Sequence, residues 1–193
     1  MRKPLKQILL AGLGNPGSQY HQTRHNLGAI LIELLSGQSL SSFKNHSKLN
    51  SLYLIENIDA VKVHYVFPQQ FMNLSGQTLK QYCEYFKIPI QDRIICYDDL
   101  DLPCGSVKFK TSGGHGGHNG LRNCIEHFGT QSFPRLRLGI GHPGHKDLVH
   151  SYVLKPFTQE QAQAVEASLE RVTSSKSLLI EKKWAKLQNT IKN

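Results

Sequence analysis

An alternation along the chain is what most constrains its fold. Short apolar runs stopped by glycine, proline or an acidic turn take turns with stretches whose apolar residues recur every three or four positions. Ile8 to Leu13 is the first run; it ends in glycines and reads as a buried strand. Leu27, Ile30, Leu31, Leu34 and Leu35 follow at helical spacing, with Gly37 where a C-cap belongs. Leu52 to Ile55 and Val61 to Phe67 read as strands, the second rich in β-branched and aromatic residues. Leu79, Tyr82, Cys83 and Phe86 mark a helix that must end before Pro89. Arg93 to Tyr97, Val107 to Lys110 and Leu136 to Ile140 read as further strands, and Gly120 to Phe128 as a helix. Thr158 and Gln161 form a capping box. Ala162, Val165, Leu169 and Val172, then Leu179 and Trp184, predict one long C-terminal amphipathic helix. Such alternation implies an α/β fold, a mostly parallel sheet with helices on both faces. Active sites in such sheets lie at the carboxyl ends of the strands.

The 193 residues suit a single domain spanning 1–193. Apolar residues make up 39%, enough for a packed interior, so disorder is not the expected class. No apolar run approaches the roughly 18 residues of a membrane helix. The run within Met1 to Ala11 is too short for a signal peptide. Cys83, Cys96, Cys104 and Cys124 form no CxxC pair and are expected reduced, in a cytoplasmic protein. The net charge of +9 points to a polyanionic partner, nucleic acid or an anionic membrane. Between Asp101 and Lys146 six Lys and Arg oppose two acids, a net of +4, and five histidines join them. A concentrated excess favours a binding face over general solubility.

Gly12-Leu13-Gly14-Asn15-Pro16-Gly17 fits the dinucleotide pattern GxGxxG directly after a strand. Its surroundings argue against that reading. Ser18 to Arg24 is polar and loop-like where a helix should open, and Pro16 removes a backbone donor from the supposed phosphate loop. Glu33 has the distance for a ribose-binding acid but lies inside a helix. Asn15 on this rigid turn presents a fixed amide; it is equally a residue that tolerates a left-handed turn.

His25 lies at or just before a helix N-terminus, where the dipole keeps imidazole neutral. A carboxylate to orient it is available in Tyr97-Asp98-Asp99-Leu100-Asp101-Leu102-Pro103, with Asp98 first after the apolar run. An acidic turn with capping duties, or a Mg²⁺ site, would use the same residues; no Walker-type loop accompanies them. Asn73, in Phe71-Met72-Asn73-Leu74-Ser75-Gly76, is a second asparagine at a helix start, where an N-cap would also stand. Gly113 to Gly120 holds five glycines in eight residues and ends at a helix N-terminus. His115 and His118 lack the companions of a zinc site, so no metal is expected. Asn119 supplies a third amide.

Taken together, GLGNPG, YHQTRHNLG, FMNLSG, DDLDLP, GGHGGHNGL and RLRLGIGHPG resemble bacterial-type peptidyl-tRNA hydrolase, in family order from Ile8 to about Gly144. The resemblance implies a mixed, mostly parallel sheet and a monomer without cofactor or metal. It implies hydrolysis of the ester between peptide and tRNA, with His25 as base and Asp98 as its orienter. Asn15, Asn73 and Asn119 match residues that hold the peptide and the reacting carbonyl. Tyr20 matches a contact to the tRNA end, and Met72 lines the peptide groove. Lys110 and Arg137 resemble a clamp on the tRNA 5′-phosphate, and Lys146 is expected to extend the tRNA face. Tyr97 stands where the family often has histidine, and Asp99 where it often has glutamate. The region from Gly37 to Asn57 and the tail after Leu154 carry no motif.

No activated serine or cysteine accompanies these motifs, so water is the expected nucleophile. Helix dipole and Asp98 oppose one another on His25, giving an expected pKa near ~6.5. Two other functions share parts of the pattern. A non-catalytic RNA-binding protein would use the charge and leave His25, Asp98 and the asparagines idle. A nicotinamide-dependent oxidoreductase would use GLGNPG alone.

Overall fold

The computed structural model describes residues 5–192. The expected span of 1–193 includes residues 1–4 and 193, which lie outside the described residues. The strands are β1 (Lys6–Gly12), β2 (Lys44–His46), β3 (Ser51–Ile58), β4 (Val61–Pro68), β5 (Arg93–Asp99), β6 (Val107–Lys110) and β7 (Arg135–Gly139). They form one sheet in the order β2-β3-β4-β1-β5-β7-β6. The central four, β4, β1, β5 and β7, are parallel. β3 and β6 run against them. The sheet is therefore mixed and mostly parallel by strand direction, as the alternation and the motifs imply.

The helices are α1 (Leu27–Ser36), α2 (Ser75–Phe86), α3 (Asn119–Phe128), α4 (Val149–Val153), α5 (Gln159–Ser174), α6 (Lys176–Ile180) and α7 (Trp184–Thr190). β1 shows why they divide between two faces. Alternate strand residues point to opposite sides. Ile8 and Leu10 enter a core with α1, α5, α6 and α7. Leu9, Ala11 and Leu13 enter a second core with α2 and α3.

The C-terminal region is three helices rather than the one expected. α5 ends at Ser174, and the buried Ser175 turns its hydroxyl back onto the Arg171 carbonyl, 2.8 Å away. Lys182 has a left-handed backbone, φ 57°, which turns the chain before α7. The apolar spacing continues across these breaks because every piece packs on the same face of the sheet. α7 covers the edge strand β6: Trp184 stacks on Phe109, and Gln188 accepts the Phe109 N–H at 3.0 Å.

Two glycines set the position of α1. A Cβ on Gly12 would meet the Gly28 carbonyl oxygen at 2.3 Å, and one on Gly28 would meet the Cys96 carbonyl oxygen at 2.2 Å. The first turn of α1 thus rests on the ends of β1 and β5, backbone against backbone. The residues just before α1 are carried to the carboxyl end of the sheet.

Candidate active site

At that end lies a cleft of about 900 Å³. Asn15, Tyr20, His25, Met72, Asn73, Asp98, Asn119 and Lys146 all line it, although they come from six separate segments of the chain. Lys110 and Arg137 do not reach it. They line an adjacent hollow of about 80 Å³ together with Arg135 and the glycine-rich loop.

His25 sits in a single turn of 3-10 helix, Arg24–Asn26, that leads into α1. Its Nδ1 lies 2.9 and 3.0 Å from the two carboxylate oxygens of Asp98. Asp98, at the end of β5, is 2% exposed. A second imidazole meets the same carboxylate: His118 Nε2 is 2.9 Å from Asp98 Oδ1. His118 also caps α3, its Nδ1 accepting the Leu121 N–H at 3.1 Å. That bond fixes the tautomer. With Nδ1 an acceptor, the neutral ring carries its proton on Nε2 and donates it to Asp98.

The carboxylate thus receives N–H groups from both rings. His25, donating through Nδ1, keeps its lone pair on Nε2. His25, Asp98 and His118 have the composition of a metal site. The donors do not fit one, because His118 would have to give up its cap to offer Nε2 to a cation.

The electrostatics follow from this arrangement. Burial pushes the Asp98 carboxyl up, but the two imidazoles and their hydrogen bonds outweigh it and hold the group well below the usual carboxylate range. Burial pulls His25 down, yet the charge of Asp98 and its hydrogen bond raise it above 6.5. The expected value near the ordinary 6.5 is therefore corrected: Asp98, working against burial, raises it.

Asn15 is held on three sides. Its N–H donates to Asn26 Oδ1, and its carbonyl accepts from Asn26 Nδ2, both at 2.9 Å. Its own side-chain Oδ1 accepts the Met72 N–H at 2.8 Å. With Oδ1 engaged, Nδ2 is the end of the amide left to donate into the cleft. The glycine loop thus presents an asparagine amide. Asn73 lies in the turn Met72–Leu74 that precedes α2 and makes no side-chain cap. Asn119 is the first residue of α3, its cap being His118.

A family model described as peptidyl-tRNA hydrolase matches residues 9–193. The chain belongs to the peptidyl-tRNA hydrolase family. It is 43% identical to a peptidyl-tRNA hydrolase of Legionella pneumophila over 95% of this chain and 97% of that one. With the enzyme of Oceanobacillus iheyensis the identity is 44%, covering 86% and 89%. The crystal structure of the Acinetobacter baumannii peptidyl-tRNA hydrolase superposes with a TM-score of 0.91 at 34% identity, covering 100% of this chain and 97% of that one. An oxidoreductase or a non-catalytic RNA-binding protein finds no support in these relationships. Among the described residues no helix is long and apolar enough to cross a membrane.

Against the family pattern, Tyr97 has its ring edge-on to His118, centroids 5.1 Å apart. Burial pushes its hydroxyl up to about 12. Asp99 accepts from Arg137 Nε at 2.6 Å, so this arginine is already ion-paired. The sequence reading missed His118 as a partner of Asp98 and Asn26 as the support of Asn15. Asn26 stood in plain view beside His25.

Proposed function

We propose that this cleft hydrolyses peptidyl-tRNA by direct attack of water, with His25 as general base. The observation that carries this reading is the His25–Asp98 contact, which leaves Nε2 as the basic nitrogen of a ring that lines the cleft. Nε2 takes a proton from water, and the hydroxide attacks the ester carbonyl. The tetrahedral intermediate collapses, the proton passes to the departing ribose oxygen, and free peptide and tRNA result. Asn15 Nδ2 supports the developing oxyanion; a single such donor is worth roughly 10²–10³ in rate. Asn73 and Asn119, which line the cleft, pair with the peptide backbone, which is common to substrates of any sequence, and Met72 offers an apolar floor. Tyr20 and Lys146 receive the acceptor end of the tRNA. Lys110 and Arg137, with net positive charge in the neighbouring hollow, take the 5′-phosphate. Release of peptide from N-acylated aminoacyl-tRNA tests this reading. Wild type is expected to release peptide without added metal, and a chain that binds tRNA but releases none overturns it.

A further inference from the structure

Arg24, next to His25, is 4% exposed, and its donors go to two main-chain carbonyls and one amide. Nη1 donates to the Tyr152 and Lys155 carbonyls at 3.2 and 3.1 Å, and Nη2 to Gln161 Oε1 at 2.6 Å. The guanidinium lies over the Tyr152 ring, 4.0 Å from its centroid, with Phe157 at 5.2 Å. Its Nε is buried without a partner among the described residues. Burying a cation is costly unless its donors are satisfied, and here carbonyl and amide oxygens take most of them.

The partners show what it does. Tyr152 O and Lys155 O lie at and just beyond the C-terminal end of α4, the negative end of the helix dipole; Tyr152 O already accepts the Lys155 N–H at 3.2 Å, and Arg24 adds a charged donor to it. Gln161 is the capping-box residue of α5, its Oε1 also accepting the Thr158 N–H. The backbone adds to the joint: Arg24 N–H donates to Lys155 O at 3.1 Å, and Thr23 bridges Pro156. The corner between α4 and α5 is therefore pinned to the turn carrying His25. This corner matters to the cleft, because Val149, His150, Val153 and Leu154 form one of its walls.

We propose that Arg24 is a positioning residue that keeps the α4 wall of the cleft in register with His25, so that substrate held on the wall meets the base at the right distance. The proposal rests on the hydrolase reading above. It predicts a kinetic role for a residue that touches neither substrate nor Asp98.

The test compares Arg24→Ala and Arg24→Lys with wild type in peptide release and in hydrogen exchange. A misplacement of about 1 Å can cost on the order of 100-fold, and Arg24→Ala is expected to lower kcat/KM by about that factor. Its amide exchange should accelerate over residues 149–157 and stay unchanged over β5. The pH inflection of kcat should stay where it is in wild type, because the His25–Asp98 contact is untouched. Dilute guanidinium ion, but not ammonium, should restore part of the activity of Arg24→Ala by refilling the slot between the two rings. Arg24→Lys keeps the charge without the fork and is expected to fall between. Wild-type kcat/KM in both variants overturns the proposal. So does faster exchange spread equally over β1 and β5 with no response to guanidinium, since Arg24 would then serve the fold alone. A wild-type chain that releases no peptide overturns the hydrolase reading instead.

Discussion

Asp98 and Asp99 are neighbours on one strand and hold different partners. Asp98 takes His25 and His118 at the floor of the cleft, while Asp99 takes Arg137 beside the smaller hollow. Successive residues of a strand point to opposite sides, so one short acidic sequence serves both cavities. The His25–Asp98 pair and the basic hollow are thereby tied to the same strand end.

Replacing His25 with alanine removes the proposed base. Peptide release is expected to fall by roughly 10²–10⁴. Tm and tRNA affinity should change little. Release at near-normal rates would end the assignment, and a stopped-flow or quenched assay with purified substrate decides it.

Asp98→Asn tests orientation and electrostatics together. The base must be neutral to act, so wild-type activity should rise with pH through an inflection above 6.5, where Asp98 has raised His25. The variant loses that charge, so its inflection should move to lower pH while kcat drops by about 10²–10⁴. A change in KM alone would make Asp98 a substrate-binding residue.

Lys110→Ala and Arg137→Ala are expected to raise KM with little change in kcat, because the phosphate is remote from the ester. Each should lower the salt slope of tRNA binding by about one. The two differ in stability. Arg137→Ala strips the largely buried Asp99 of its partner and should lower Tm, whereas the exposed Lys110 leaves nothing orphaned. Substrate lacking the 5′-phosphate should erase the kinetic difference between variants and wild type. Undiminished discrimination by that phosphate in the variants would place the clamp elsewhere.

His64 gives the fold an acid limit. It is fully buried between Tyr82 and Gln7, and burial with the nearby Lys62 lowers its pKa to about 4. The folded value lies below the unfolded 6.5, so between these the unfolded chain takes up a proton that the native state refuses. Stability should therefore decline as pH falls from 6.5 to 4, by up to about 3 kcal/mol. Urea titrations across that range measure it, and His64→Gln should flatten the decline.

Most of the sheet was legible because buried strands and helices write their period into the sequence. Ile8 to Leu13 and the Leu27 to Leu35 stripe needed no tertiary knowledge. His25 and Asp98 could be paired because each stands at the end of such an element. The bond from His118 to Asp98 was not legible, since it depends on how the glycine-rich loop delivers His118 twenty residues downstream. Nor was the Asp99–Arg137 pair, which depends on β5 and β7 lying side by side in one register. β2, at three residues, is too short to show a period. The breaks after Ser174 left no mark, because the apolar stripe runs on while the backbone turns.

The last helix shields a sheet edge. An edge strand with free N–H groups invites a strand from another copy, and β6 is such an edge. Gln188 occupies the Phe109 N–H, and Trp184 roofs the ring beside it. A chain shortened before Trp184 would keep every residue of its cleft, lose this guard and uncover the core that Leu187 and Ile191 fill, so it would present both a bare strand edge and fresh apolar surface to other copies.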